Sequence, residues 1–451
     1  MDNNGIDESQ PQIDSSLKSI LKVTIPVILS TLSINLMYLT DRLLLAAYSF
    51  DAMNAAAIAG NLVAAFTYLI GGIAGTAEVY VGQYNGSKQY DKLAAPIWQM
   101  IYLSLLSIVV LWPLAYFSEY FNTLPPYYLS DGVAYQSVLM YFGFIPGLIV
   151  ALSAFFIGQG KARIVSMVVI SGTALNALLS YFFIFEMRQG CRGAAIGTVI
   201  SEIFQVVLLT AVIFAKKNRK TFNTVKNNRF NKELFCSCIR IGAPIAIGNF
   251  TALLAWCSIH TIMGYASKDL ATIYGLCINL YILFLFAGEG ASKAIASIAS
   301  NMIGRSDFES IRRTVKVFIW LTTGFCFCTV TPMLIAPDWI VQASCNLHEG
   351  GRFLAGQCKT ALYVTLANVP IEAVLYIYWG VLLSGGDTKY AMFVHQVVFW
   401  TTVVLPVYIM YKFGVLSSAA HVFFLMMLWM TIVDILFYKR YRLMKWYNKL
   451  V

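Results

Sequence analysis

Several carboxylates lie inside long apolar runs of this sequence, where an ionisable side chain is energetically costly. Four of them are candidate site residues: Asp41, Glu202, Glu289 and Glu372. Placing such a group at the centre of a bilayer costs about 3 kcal/mol, so it usually faces a cavity, a partner or a bound cation. A carboxylate in that position can bind a cation through its oxygens or exchange a proton. These residues therefore predict one or more sites for positive charge.

Two pairs of polar residues have the spacing of one helical turn. Asn176 and Ser180 are four residues apart, as are Thr198 and Glu202, so each pair shares a helix face. If the two faces meet, their oxygens could serve a Na⁺ ion, whereas a proton site needs only a carboxylate. Glu202 could instead be a buried acid that is hydrogen-bonded between helices.

Asp41 has an adjacent base in the sequence, Arg42, so it could also be an interfacial acid with a structural role. Consecutive residues do not face each other on a helix. Arg42 can therefore extend outward to the interface while Asp41 turns inward. We favour a cation site at Asp41.

Polar side chains in the second half of the chain are more isolated. Glu289 and Lys293 are four apart, in the order that favours an ion pair, although they could instead line a substrate cavity. Glu372 has no base near it on its own helix, which favours a role in a cavity. His260 lies in an apolar run and could simply pack there with one hydrogen bond, or line the same cavity.

The elements that position these residues are predicted to be membrane-spanning helices. The chain has 451 residues, of which 59% are hydrophobic and 12% charged. Apolar runs of about 20 residues recur along it, and a bilayer requires helices because each backbone polar group must be satisfied within its own segment. The predicted spans are 19–46, 52–82, 91–118, 131–157, 163–186, 193–215, 236–265, 269–303, 311–335, 359–384, 389–411 and 415–438.

The basic residues indicate how the spans are oriented. Seven of them cluster between spans six and seven: Lys216, Lys217, Arg219, Lys220, Lys226, Arg229 and Lys232. Positively charged loops stay in the cytoplasm, so both termini are expected there, and the net charge of +10 reflects topology rather than a nucleic-acid partner. The predicted segments are an N-terminal tail (1–18), an N-lobe (19–215), a basic linker (216–235), a C-lobe (236–438) and a basic tail (439–451).

Three motifs recur in the same order in both halves of the sequence. The pairs are Pro26 and Pro244, Gly86 and Gly304, and Gly160 and Gly386. The members of the first two pairs are 218 positions apart and those of the third are 226 apart. Each half has an even number of spans, so the repeats are expected to be parallel, with a central cavity between two six-helix lobes.

In these residues the chain resembles the multidrug and toxic compound extrusion (MATE) family, as a divergent bacterial-type member of its wider exporter superfamily. The resemblance covers roughly 17–440 and rests on Pro26, Thr40-Asp41-Arg42, Gly82-Gln83 with Gly86, Gly158 with Gly160, Asn176, and residues 193–198 and 380–389. It implies a secondary antiporter in which Na⁺ or H⁺ entry drives efflux of amphipathic, usually cationic compounds.

The resemblance also implies which residues form the cation site. By match of position they are Asp41, Asn176 and Thr198. A further acid or amide that is common in the family is replaced here by Ser180, and we hypothesise that Glu202 supplies the missing carboxylate. In the second lobe Glu372 matches an acidic position found in part of the family. We expect Glu289, Glu372, Lys293 and His260 to line a substrate cavity.

Two other functions remain open. A flippase for a lipid-linked saccharide or peptidoglycan precursor would share the fold, but such proteins need arginines in the cavity, and Arg is scarce within these spans. A non-transporting scaffold or receptor is the second alternative. No nucleotide-binding or catalytic motif is found, so we expect no enzyme activity, no cofactor and no metal apart from a coupling Na⁺.

Several properties follow from the same interpretation. We expect a monomer in the cell membrane, with lipids and an organic cation as its partners. Two cysteines in the long loop before span ten, Cys345 and Cys358, could form a disulfide in an oxidising exterior.

Overall fold

The computed structural model describes residues 14–120, 128–335, 351–447 and 450. The helices of the first half are α1 (Leu17–Tyr48), α2 (Phe50–Ala74), α3 (Thr76–Gly86), α4 (Ala94–Leu106), α5 (Ile108–Tyr116), α6 (Leu129–Tyr141), α7 (Phe144–Ile157), α8 (Ala162–Tyr181) and α9 (Gly190–Ile213). The linker contains α10 (Lys216–Phe222). The second half contains α11 (Lys232–Ala266), α12 (Lys268–Gly304), α13 (Phe308–Ile335), α14 (Gly351–Ser384), α15 (Thr388–Phe399), α16 (Leu405–Lys412) and α17 (Ala420–Arg442).

These helices provide the predicted number of membrane spans. Eleven helical segments of the described chain are long and apolar enough to cross a bilayer. The pair α6 and α7 makes a twelfth, which is bent by 43°. Within the described ranges the one backbone pairing outside helices and turns is an isolated bridge between Gly386 and Tyr447. The prediction of an all-helical membrane fold is confirmed.

A π-helical turn interrupts one span in each half. Span five continues from α8 into the turn Phe182–Glu186, and span eleven contains the turn Trp400–Val404 between α15 and α16. The two turns begin 218 positions apart, the interval that separates the first repeated motifs. A π turn carries one extra residue per hydrogen-bonded ring and often occurs at functional sites.

The chain divides into two compact units. One contains residues 14–249, 297–311 and 450, and the other contains 250–296 and 312–447. These boundaries fall inside spans seven, eight and nine, so the units are divided differently from the predicted lobes 19–215 and 236–438, which stay a prediction. Close packing explains the difference, since a side chain on Gly242 of α11 would approach Ile73 Cα of α2 to 2.6 Å.

The repeated motifs that end spans two and eight pack directly against each other. A side chain on Gly86 would collide with the backbone of Asn301, and one on Gly304 would collide with the backbone of Gln83. The Asn85 amide donates to Asn301 Oδ1 at 2.6 Å. Only glycine allows the two helices to approach so closely.

The basic linker is held against α4 by two buried or half-buried side chains. Trp98 Nε1 donates to the carbonyl of Thr224 at 2.7 Å. Gln99 donates to the carbonyl of Arg229 at 3.1 Å and accepts from the Asn231 N–H at 3.1 Å. The linker therefore has a defined conformation in the described structure, and the basic side chains whose exposure is described lie at the surface.

The end of span twelve holds the turn that follows span ten. Arg440 donates to both carboxylate oxygens of Asp387, at 2.7 and 3.1 Å, and lies 4.6 Å from the ring of Tyr390. Trp446 is buried against the backbone at Gly385. Burial raises the pKa of Asp387, and the charge and hydrogen bonds of Arg440 oppose that shift.

Replacing Arg440 with Gln is expected to destabilise this end of the protein by about 2 kcal/mol, because a half-buried carboxylate loses its charged donor. Arg440→Lys should recover only part of the loss, since Lys cannot form the two parallel hydrogen bonds. Thermal unfolding of the purified proteins in detergent measures both effects. Arg442→Gln is the matched control because Arg442 is exposed, and an equal loss there would contradict the assignment.

The possible disulfide before span ten stays a prediction. Cys358 is buried on α14, where its thiol interacts with that of Cys277 on α12. Cys345 lies outside the described residues.

Candidate cation site

Asp41 is buried on α1 and is surrounded by neutral polar groups from two other helices. Only 4% of the residue is exposed. Ser180 Oγ donates to its Oδ1 at 2.7 Å, and Thr198 Oγ1 donates to its Oδ2 at 2.9 Å. The Asn176 amide lies 3.5 Å from the same Oδ2 and 3.1 Å from Thr198 Oγ1. We call these four residues the Asp41 cluster.

The helices that carry the cluster approach closely because of small residues. Asn176 and Ser180 lie one turn apart on α8, and Thr198 lies on α9. A side chain on Gly197 would come within 2.8 Å of the Ser180 backbone nitrogen, so glycine is needed for α9 to reach α8. Thr173 lies one turn before Asn176 on α8. Its Oγ1 donates to a carbonyl oxygen of α1 at 3.2 Å, and this hydrogen bond links α8 to α1.

The electrostatics of the Asp41 cluster favour a cation or a proton. None of its hydrogen-bond donors is charged, so the carboxylate has no counter-ion within the cluster. The Asn176 Oδ1 atom is buried and has no hydrogen-bond partner. Together with the Asp41 carboxylate and the two hydroxyl groups, this amide supplies the hard oxygen ligands that Na⁺ requires. The same carboxylate can alternatively bind a proton.

Glu202 lies beside the cluster but is not part of its hydrogen-bond network. It is half-buried on α9, one turn beyond Thr198. It interacts electrostatically with Asp41. No described residue forms a hydrogen bond or ion pair with it. The structure therefore brings four of the five predicted cation-site residues into direct contact and leaves Glu202 adjacent to them.

Replacing Thr198 with Val keeps the side-chain volume and removes the 2.9 Å hydrogen bond to Asp41. We expect a five- to twentyfold change in the apparent affinity for the coupling ion, or about 1–2 kcal/mol for one hydrogen bond. Na⁺ would bind more weakly because it loses an oxygen ligand, whereas H⁺ would bind more tightly because the carboxylate loses a donor that stabilises its charged form. The ion concentration that gives half-maximal efflux measures this effect. Thr210→Val, on the same helix and outside the cluster, should leave that concentration unchanged.

In the second compact unit Glu372 is the most buried of the predicted acids, with 7% exposure. Its Oε2 is buried without a hydrogen-bond partner, and its carboxyl group interacts with Tyr281, whose hydroxyl donates to Met430 Sδ at 3.9 Å. It interacts electrostatically with Glu289 and with Asp434 on α17. Asp434 was not predicted from the sequence, although it is a carboxylate inside the apolar run 415–438, just as the predicted acids are carboxylates inside apolar runs.

The other second-half predictions are less well connected. The ion pair between Glu289 and Lys293 is not formed: both residues are described, Lys293 is exposed, and Glu289 interacts instead with Glu372 and Tyr376 on α14. His260 is exposed, with its ring 4.8 Å from that of Tyr274. The structure therefore groups Glu289 with Glu372 and leaves Lys293 and His260 outside that group.

The two halves differ at the position of the cation site. The repeat partner of Asp41 is Ile259, a fully buried apolar residue. The second half thus has no carboxylate at the equivalent place on α11, and its acids lie on α12, α14 and α17 instead. The Asp41 cluster is specific to the first half.

Comparison with known proteins assigns the family. The MatE family profile matches residues 26–182 and 244–409, which is most of the chain. The chain therefore belongs to the MatE family and is a multi-pass membrane transporter rather than an enzyme.

Individual relatives support the same family at low sequence identity. The probable multidrug resistance protein YoeA of Bacillus subtilis (strain 168) is 23% identical over 263 residues, an alignment that spans 55% of this chain and 56% of that relative. The uncharacterized transporter YisQ of the same organism is 21% identical over 450 residues, covering 96% of this chain and 95% of YisQ. A crystal structure of MATE in complex with MaL6 matches with a TM-score of 0.87 at 15% identity, covering 95% and 96% of the two chains. That similarity shows a shared fold.

Proposed function

We propose that this protein is a secondary active antiporter that exports amphipathic organic cations in exchange for Na⁺ or H⁺. The observation that supports it most directly is the Asp41 cluster, a buried carboxylate with three neutral donors and no counter-ion among the described residues. Such a group is stable when a cation or proton occupies it and costly when it is empty and charged. Occupancy therefore responds to the ion gradient, as coupled transport requires.

The transport cycle that we propose is alternating access by rocking of the two repeats, in a cell membrane with both termini in the cytoplasm. Entry of the ion at Asp41 would neutralise the carboxylate and let its hydroxyl donors rearrange. Release of the ion on the other side would restore the charge. Because the ion binds one state of the transporter more tightly than the other, its gradient can shift the equilibrium between them.

Purified protein in liposomes that contain ethidium tests this proposal. An inward Na⁺ gradient and an inward H⁺ gradient are imposed separately, and dye flux is followed by fluorescence. We expect uphill flux with one of the two gradients, and the arm that responds identifies the coupling ion. Flux that ignores both gradients, or no flux, would contradict coupled export and favour a flippase or a scaffold.

A further inference from the structure

Part of the basic linker lies along the first turns of α4 in the first compact unit. The carbonyl of Thr224 accepts from Trp98 Nε1 at 2.7 Å, and the carbonyl of Asn228 accepts from the Tyr102 hydroxyl. These hydrogen bonds use backbone groups of the linker, so they fix its course without occupying its charged side chains. We call residues 224–232 the docked segment.

The span that holds the docked segment is longer than the hydrocarbon core of a bilayer. It extends over Tyr90–Tyr116, or 27 residues. At 1.5 Å per residue this is about 40 Å, whereas the core is about 30 Å thick. The rings of Trp98 and Tyr102 point back toward the start of the helix, and both residue types are enriched at membrane interfaces. The docked segment therefore lies near the level of the lipid headgroups.

Three basic side chains of the docked segment are exposed: Lys226, Arg229 and Lys232. None of them forms an ion pair with a described residue. The one acid close to them in the sequence is Glu233, which is also exposed. The segment thus presents an excess of positive charge that the protein itself does not neutralise, and bases at this level attract anionic headgroups.

A large apolar ring is exposed among these bases. Phe230 is 58% exposed, and its ring lies 6.1 Å from that of Tyr102 and 5.1 Å from that of Phe235. A loop that is only solvated gains nothing from an exposed phenylalanine. At the headgroup level, however, the same ring can leave water by entering the region where the acyl chains begin. Bases beside an apolar anchor are typical of a surface that binds anionic membranes.

We propose that the docked segment is a binding surface for anionic phospholipids of the surrounding membrane. Lys226, Arg229 and Lys232 bind the lipid phosphates, and Phe230 is inserted among the first methylene groups of the acyl chains. The hydrogen bonds from α4 hold the segment in place, so little conformational entropy is lost when a lipid binds. This surface is separate from the Asp41 cluster and does not depend on which compound the protein transports.

Lipid binding to the purified full-length protein in detergent, followed by native mass spectrometry, tests this proposal. The probes are phosphatidylglycerol, which is anionic, and phosphatidylcholine with the same acyl chains, which is zwitterionic. We expect the wild type to prefer phosphatidylglycerol. Removing the three bases together should raise the apparent Kd of phosphatidylglycerol at least about tenfold and leave that of phosphatidylcholine unchanged. That variant combines Lys226→Gln, Arg229→Gln and Lys232→Gln.

The matched control removes the same charge from another part of the linker. It combines substitutions of three exposed bases on α10, outside the docked segment: Lys216→Gln, Arg219→Gln and Lys220→Gln. We expect the apparent Kd of phosphatidylglycerol to rise no more than about threefold in this control, since the bases are not beside the apolar anchor. Phe230→Ser removes apolar contact but no charge, so it should weaken the binding of both lipids about fivefold.

Several results would overturn the proposal. Equal loss in the two triple variants would show that the attraction depends on net charge and not on the docked segment, and equal binding of both lipids by the wild type would show no preference for anionic lipid. Wild-type lipid binding in Phe230→Ser, together with tight binding of a single-stranded DNA oligonucleotide to the same bases, would assign the surface to a soluble polyanion. If the first triple variant does not fold, Arg229→Gln alone provides the test, because its backbone carbonyl still accepts from Gln99. About fivefold weaker binding of phosphatidylglycerol supports the proposal, and unchanged binding contradicts it.

Discussion

Replacing Asp41 with Asn is expected to abolish ion-driven efflux while the protein remains folded. Asn has nearly the same shape and can still accept from Ser180 or Thr198, but it carries no charge and cannot release a proton. We expect the gradient-dependent rate to fall by roughly two orders of magnitude, the upper end of usual coupling energies. Ethidium flux in liposomes, under the gradient to which the wild type responds, measures this fall.

Asp51→Asn is the matched control for this substitution. Asp51 lies in the first turn of α2 and is exposed, so the same chemical change there should leave coupled flux intact. Size-exclusion chromatography of both variants separates loss of function from loss of folding. Coupled flux that persists in Asp41→Asn would show that the cluster is a structural hydrogen-bond network and that the coupling ion binds elsewhere.

Replacing Gly86 with Ala is expected to prevent normal packing of spans two and eight. The added methyl group would occupy the position of the Asn301 backbone, which cannot move aside as a flexible side chain can. Overpacking typically lowers the free energy of unfolding by about 1–3 kcal/mol. We expect a collision with backbone to cost about 3 kcal/mol or more. We expect low yield of monodisperse protein and a lower midpoint of thermal unfolding. Gly304→Ala should have a similar effect, because it meets the backbone of Gln83.

Two helical glycines provide controls for the effect of the methyl group itself. A side chain on Gly264 or Gly324 would meet nothing within 4 Å. Alanine at these positions should be neutral or stabilising by up to about 1 kcal/mol, through its higher helix propensity. If Gly86→Ala behaves like these two variants, the close approach at Asn301 does not contribute to stability.

Much of the architecture can be predicted from the sequence because the bilayer restricts the available structures. A run of about 20 apolar residues must form a helix, and the repeated motifs then order the helices. The bend between α6 and α7 and the two π turns are not visible in the sequence. They depend on local competition between hydrogen-bonding patterns and on packing against neighbouring helices.

The candidate site could likewise be predicted from the sequence only in part. Spacing of four residues correctly places Asn176 with Ser180 on one helix face. Spacing alone does not show whether two such residues choose each other as partners. Glu289 and Lys293 share a face and are not paired, and Glu202 lies one turn from Thr198 without entering the cluster. Which partner each side chain has depends on its tertiary neighbours, here the acids and tyrosines of other spans.

The contact between spans two and eight also has a consequence for the origin of the fold. Gln83 and Asn301 are repeat partners, and so are Gly86 and Gly304, which means that the contact of Gly86 with Asn301 is repeated by Gly304 with Gln83. A surface that meets its own copy in this way is isologous and closes after two copies. A half-length ancestor with this motif would already have had the means to form a homodimer. Fusion of two such chains then needed only a linker, after which one half alone could acquire or keep an acid at the position of Asp41.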